Sequence, residues 1–363
     1  MLGYCEALLV GLEEVAGLND PQLKSRPAGL IQALRSTNNT RGTEILRADA
    51  GDGHRVEVRV RRLLRSRPAD TRTSPSCDPI LTPVYNEQTV TVSNYRETAI
   101  AVSWDEISRY CKDASELVAN GQRIEGAPNT PLMRDHLRKI LAAMNGLRQA
   151  VNQDAWAALV GSFGWNAVTS SSAPKPVNLL RASLDNAKIE EGLQDLMYDM
   201  AFNEVEGTPI VVGAGIFHRF NTSIQYGCCN SGGFDWKAPS AETPYEFWLD
   251  WTAQTALGTN QFAVLAPGAV QLLTFNRYRG SFAGRHGASD FGLLPDPYLS
   301  PGETPWAWDL QLRFEDCGPN ARRYTAVVGL SFGLYTLPAA SFPPGDPLSN
   351  VNGIFRYLGQ IKP

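Results

Sequence analysis

The residue types best suited to chemistry are thinly spread along this chain. There are four histidines, His54, His136, His218 and His286, and six cysteines, Cys5, Cys77, Cys111, Cys228, Cys229 and Cys317. Each histidine lies in a different segment, so spacing assembles no catalytic triad. The run Gly227-Cys228-Cys229-Asn230-Ser231-Gly232-Gly233 has the glycine-rich setting of a thiol nucleophile but lacks the Cys-Gly-x-Cys-Trp neighbourhood, which favours a surface loop. His218, Cys228 and Cys229 offer metal-binding atom types, yet adjacent cysteines strain tetrahedral chelation and no fourth ligand is placed. Val211-Val212-Gly213-Ala214-Gly215 is similar to the start of a dinucleotide-binding turn, but the third glycine position holds His218, so a strand running into a turn is expected. No GxxxxGK[ST] phosphate loop occurs. His136 borders an apolar helical stripe, where a core or subunit-contact imidazole is favoured over a general base. The expectation is a protein without catalytic, cofactor-binding or metal-binding residues; a thiol-dependent enzyme using Cys228 or Cys229 is the distant rival.

A second constellation is cationic. Arg55-Val56-Glu57-Val58-Arg59-Val60-Arg61 alternates strictly, which in a strand puts three valines on one face and the charges on the other. Arg62, Arg65, Arg67 and Arg72 prolong the row. It could be a nucleic-acid stripe, a ribbon of intersubunit ion pairs or a merely solvated strand face. Glu57 and Asp70 dilute the charge and few aromatics interleave for base stacking, which favours protein contacts. The candidate contact residues are Arg55, Arg59, Arg61, Arg62, Arg65 and Arg67, with Val56, Val58 and Val60, whose apolar face is expected to need a partner's surface.

These residues need elements to position them. Met133, Leu137, Ile140, Met144, Leu147, Val151, Ala155 and Leu159 recur at steps of four and three, which predicts one long helix over 131–163 with a single apolar stripe. Thr130 can cap it and Pro131 suits its first position. At about 1.5 Å per residue the rod is about 45 Å long. Before it, residues 2–34 read as short amphipathic helices, and 41–104 as a β-arm in which the alternation at 55–61 is followed by Thr89–Val92 and Ala99–Val102. After it, a helix over 184–203 carries the stripe Ile189, Leu193, Leu196 and Met200. Strands are expected at 208–213, 261–265, 270–275 and 351–361, a helix or strand mix at 245–257, and loops over 277–305. The clearest hairpin pairs 308–314 with 323–337 through Cys317-Gly318-Pro319-Asn320. Glu190-Glu191 and Asp105-Glu106 fall at helix starts, where the helix dipole accounts for them.

Composition bounds the rest. The 363 residues, 43% hydrophobic and 19% charged, are those of a folded chain large enough for two or three structural units. A net charge of -4 and a pI near 5.7 oppose general nucleic-acid binding. The opening MLGYCEALLV is a poor secretory signal, and no apolar run reaches the ~20 residues of a membrane span, so a soluble protein made inside the cell is expected. The scattered cysteines lack CxxC spacing and are expected as free thiols.

The order of parts is decisive: helical arm, long β-arm, strut helix, α/β unit, C-terminal strands. It resembles that of the major capsid proteins of tailed bacteriophages. Thr208-Pro209-Ile210-Val211-Val212, Ala266-Pro267-Gly268-Ala269-Val270 and Val351-Asn352-Gly353-Ile354 look like strand segments of that family. The resemblance implies an α+β fold with an N-terminal arm (1–40), an extended β-loop (41–103), a peripheral domain on the spine helix (104–180), an axial domain (181–305) and returning C-terminal strands (306–363). It also implies self-assembly as hexamers and pentamers into an icosahedral shell around double-stranded DNA. Expected partners are copies of itself, portal and scaffolding proteins, a decoration protein, and packaged DNA through non-specific contacts, with no membrane. Expected localisation is the virion capsid, after synthesis in the host bacterial cytoplasm. Some family members weld their shells through an isopeptide bond from an extended-loop lysine. This sequence has no lysine between Lys24 and Lys112, so an uncrosslinked shell is expected. The start at Met1 shows no long scaffolding prefix, which implies a separate scaffolding protein. A nanocompartment shell of the encapsulin type and a tail-tube protein are the nearer alternatives.

Overall fold

The computed structural model describes residues 28–40, 44–50, 56–63, 74–75, 85–103, 131–181, 190–220, 245–278, 284–286, 289–296, 299, 306–316, 322–339, 342–343 and 345–362. In chain order the elements are α1 (Gly29–Arg35), α2 (Thr37–Thr40), β1 (Glu44–Ala50), β2 (Val56–Leu63), β3 (Tyr85–Val92), β4 (Asn94–Ser103), α3 (Pro131–Val160), β5 (Lys175–Arg181), α4 (Glu190–Phe202), β6 (Ile210–Gly213), β7 (Glu246–Leu249), α5 (Thr252–Leu257), β8 (Gln261–Leu265), β9 (Val270–Phe275), β10 (Gly284–His286), β11 (Ser289–Pro295), β12 (Ala307–Asp316), β13 (Arg322–Thr336) and β14 (Ile354–Lys362).

The long helix forms where its period predicts, beginning at Pro131 and ending at Val160, three residues early. Ile140, Met144, Val151 and Leu159 are fully buried, and Leu147 and Ala155 nearly so. The side chains of Met133, His136 and Leu137 lie outside the described residues, as does Thr130. α4 is described from Glu190, with Leu196 and Met200 buried as its stripe requires. β8 and β9 occupy the expected residues, and 245–257 resolves into β7 followed by α5.

Two expectations change. The 277–305 stretch is not loop alone, since β10 and β11 lie in it. Its glycine and proline content masked two strands that a neighbouring strand completes: β11 pairs along its whole length with β12. The second half of the expected β-arm also separates from the first. β4 pairs antiparallel with β13, from Ser103 opposite Arg323 to Asn94 opposite Phe332, and not with β3. The arm expectation treated 89–102 as continuous, whereas Ser93 interrupts it between β3 and β4.

The chain divides into two compact units. The first comprises Met1–Arg26, Ser93–Val151 and Thr274–Phe332. It is built on the antiparallel run β10-β11-β12-β13-β4, with β12 and β13 forming the expected hairpin. Its interior holds an ion pair between two almost fully buried groups, Arg148 Nε and Asp296 Oδ2 at 3.1 Å. Trp308 Nε1 donates to the same carboxylate oxygen at 2.9 Å, and the Leu299 amide donates to the other oxygen at 3.1 Å. These bonds offset much of the cost of withdrawing the pair from water.

The second unit comprises Pro27–Val92, Asn152–Leu273 and Gly333–Pro363. Its main sheet has the order β5-β14-β8-β6-β7, with β5/β14 and β6/β7 parallel and the inner pairs antiparallel. Val177, Leu179, Leu196, Met200, Phe217, Phe262 and Tyr357 belong to its hydrophobic core. Asp250, fully buried, accepts hydrogen bonds from Leu30 N (2.9 Å), Asn152 Nδ2 (2.8 Å), Trp156 Nε1 (2.9 Å) and Thr252 N (2.8 Å). One carboxylate thus fastens α1, α3 and the start of α5. Residues 28–40 are accordingly built into this unit, with Leu30, Ile31 and Ala33 fully buried.

Candidate functional site

β1, β2 and β3 form an antiparallel three-stranded sheet in the second unit, and the candidate contact residues sit on β2, its central strand. Alternation works as expected along Val56–Val60. Val56, Val58 and Val60 are 4%, 6% and 0% exposed, while Glu57 and Arg59 face water. Val90 and Val92 on β3, opposite Val58 and Val56, share the buried face.

This burial corrects the expectation that the valine face needs a partner's surface. The chain covers it by itself. Gly333 on β13 lies against this region: a Cβ there would sit 3.1 Å from the Thr91 carbonyl oxygen and 3.5 Å from Val90 Cγ1. The glycine lets the two strands approach this closely without crowding. Val56, Val58 and Val60 therefore seat the sheet on its own chain, and the opposite face carries the exposed Glu57 and Arg59.

That outer face carries both signs of charge. Across β2 and β3 the outward pairs are Glu57 with Thr91, Arg59 with Thr89, Arg61 with Glu87 and Leu63 with Tyr85. The Arg61 guanidinium lies over the Tyr85 ring, 4.2 Å from its centroid, a cation–π contact that fixes the long side chain. Leu63 and Tyr85 are 57% and 40% exposed at one end of the face.

Arg62 departs from the row. Two residues beyond Val60, it continues the valine face, and the same alternation that turns Arg59 and Arg61 outward turns Arg62 inward. Burial lowers the pKa of its guanidinium, while Tyr335 and Glu206 act on it through space in the opposite direction. Arg55, Arg65 and Arg67 lie outside the described residues.

The chemical candidates fall in separate places. All six cysteines, the Gly227–Gly233 run, His54 and the Cys317–Asn320 turn lie outside the described residues. His218 is half-buried beside Phe247 and Trp251, with ring centroids 6.3 and 6.0 Å away. Gly213 ends β6 as a packing residue, where a Cβ would come within 2.6 Å of Phe262 Cβ, so its glycine serves strand packing against β8. Sequence reasoning missed Gly329-Leu330-Ser331-Phe332-Gly333, which has the GxSxG spacing of a nucleophile elbow. It lies inside β13 and not on a strand-to-helix turn; Ser331 is 2% exposed and accepts a hydrogen bond from Arg277 Nε at 3.1 Å. Among the described residues, no group of three or more His, Cys, Asp or Glu is placed to hold a metal ion, and no helix is long and apolar enough to cross a membrane.

No protein-family model matches the chain, and no curated protein is similar to it. Among solved structures it is similar to one from Mycobacterium phage Adephagia, at 10% identity and a TM-score of 0.45, covering 96% of this chain and 98% of that one. It is similar to a cyanophage A-1(L) capsid asymmetric unit at 12% identity and a TM-score of 0.42, covering 92% and 93%. A third is a virus-like particle from Pyrococcus furiosus, at 12% identity and a TM-score of 0.33, covering 97% and 96%. At these TM-scores the functional reading rests on the chain's own elements.

Proposed function

We propose that this chain is a shell-forming subunit, the major capsid protein of a tailed bacteriophage. In this reading it assembles as hexamers and pentamers into an icosahedral shell around double-stranded DNA. The observation that carries the reading is the three-stranded sheet. One face is seated on the chain's own second unit by Val56, Val58, Val60, Val90 and Val92; the other presents Glu57, Arg59, Arg61 and Glu87 with exposed Leu63 and Tyr85. Such a face gains most from a repeated copy, because many modest contacts multiplied by closed symmetry make a stable particle. The order of parts along the sequence supports the same reading. Portal, scaffolding and decoration proteins and packaged DNA are its further partners, and the virion capsid is its location.

Negative-stain electron microscopy of the purified protein tests it. Closed shells are the expected result; a monodisperse monomer at every concentration overturns it. Shells that capture a cargo peptide and no genome would move the chain to a nanocompartment. The sheet's part is tested by Arg59→Glu with Arg61→Glu. The double variant is expected to keep the wild-type melting temperature and to lose assembly, and normal shells from it would assign contact to another surface.

A further inference from the structure

Four aspartates are buried among the described residues: Asp199, Asp250, Asp296 and Asp309. Three of them face groups that donate hydrogen bonds but are poor nucleophiles. Asp250 meets amides and an indole, Asp296 a guanidinium, an indole and an amide, and Asp309 the Arg277 and Tyr278 amides. Asp199 differs. Its Oδ1 contacts the Lys175 amine, and its Oδ2 accepts the Tyr357 hydroxyl at 3.2 Å. Lys175 opens β5, the edge strand of the main sheet, Asp199 lies in α4, and Tyr357 stands opposite Lys175 in the parallel β5–β14 pair. The Asp199 and Tyr357 side chains are sealed from water and that of Lys175 is 18% exposed.

The phenol is fixed in place. Its ring stacks on Phe262 with centroids 5.6 Å apart, and Asn166 Nδ2, whose Oδ1 is held by Asn203 Nδ2 at 3.0 Å, donates to the hydroxyl at 3.4 Å. Burial, and then the Asp199 charge, push the phenol pKa up, so the hydroxyl keeps the proton that it points at Asp199. A lysine amine is a nucleophile, and holding it against a carboxyl makes their reaction unimolecular. Exclusion of water disfavours the reverse hydrolysis. We propose that Lys175 and Asp199 condense into an isopeptide bond within the chain, with the Tyr357 hydroxyl polarising the carbonyl that the bond retains. One proton passing from Nζ to Oδ1 supplies the two reacting forms, the free amine and the acid. Nζ then attacks Cγ, the C–N bond forms and the Cγ–Oδ1 bond breaks. Oδ1 leaves as water with its own proton and a second one shed by Nζ, while Oδ2 stays as the amide oxygen. No oxidant or further reactant enters. The bond ties α4 to β5 inside one subunit and does not depend on the shell reading.

Intact-mass spectrometry of the denatured full chain tests this. Wild type is expected to be lighter than its sequence by one water, and Lys175→Arg, which keeps the cation and removes the primary amine, is expected at its full sequence mass. After trypsin, the wild-type peptide 149–181 is expected joined to peptide 189–219. Tyr357→Phe keeps the ring and removes the hydroxyl, and is expected to hold a smaller bridged fraction than wild type. An equal fraction overturns the part given to the hydroxyl. Wild type at its full sequence mass overturns the bond and leaves Lys175 and Asp199 a buried ion pair. A missing water that persists in Lys175→Arg arises elsewhere in the chain and overturns it equally. The wild-type mass decides even where a variant fails to fold.

Discussion

Asp250 and Asp309 are both buried carboxylates in this molecule, and their surroundings give them opposite consequences. Asp250 accepts four hydrogen bonds from three parts of the chain, so truncating it leaves the indole of Trp156 and the amide of Leu30 without acceptors. Asp250→Ala is expected to cost about 3 kcal/mol or more in urea unfolding, the sum of several buried groups left unpaired. Asp309, 1% exposed, accepts the Arg277 and Tyr278 amides at 3.0 and 3.3 Å, yet burial outweighs them and raises its pKa above the ordinary 3.8. A raised carboxyl pKa means the folded state holds its proton longer than the unfolded chain. Its contribution to stability is therefore greatest at acid pH and is lost as pH rises through the folded value. The melting-temperature difference, wild type minus Asp309→Asn, should fall as pH increases above about 4 and flatten once the folded value is passed; a difference that grows with pH would show the reverse linkage.

At the scale of elements, α3 was the most legible part of the chain, because a stripe sustained over eight apolar positions has no other regular solution. One position within it remains below optimum. Gly146 is exposed, and a Cβ there would meet nothing within 4 Å. Gly146→Ala should stabilise the protein by about 0.5–1 kcal/mol, read as a higher melting temperature, with assembly unchanged. The β-arm was legible only in part. The alternation at Val56–Val60 gave the correct buried face, and the same parity carried two residues further turns Arg62 inward. What was missed was the seat: the valines rest on their own chain near Gly333, a residue about 270 positions away in sequence, which no local pattern connects to them. β10 and β11 were missed for a related reason, since their strand character comes from pairing, β10 with β11 and β11 with β12, rather than from a strong pattern of their own. At this scale the Arg59→Glu, Arg61→Glu double variant separates folding from contact, because both side chains lie on the sheet's outer face.

For the whole molecule, the proposed shell would be held by non-covalent contacts. No lysine occurs between Lys24 and Lys112, so β2 and β3 bring no amine for an isopeptide bond. Purified particles, reduced and boiled, should run as one band near 39.7 kDa on a denaturing gel, and a ladder of covalent multimers would contradict this. Particle yield should also fall with added salt, because the outer face carries exposed charges of both signs whose contacts with a neighbouring copy ions would screen.

By itself the sequence determined the periodic things: where α3 runs, which side of β2 is apolar, which residues form the β12–β13 hairpin, and that its chemically capable side chains sit far apart along the chain. Periodicity suffices for these because a helix or strand face is set by neighbours three, four or two residues away. The tertiary structure alone decided what covers each face. It assigned β4 to β13 and tied α1 to the buried Asp250 through the Leu30 amide. Those outcomes depend on which distant segments meet, and only closing the long loops between them brings such segments within bonding distance.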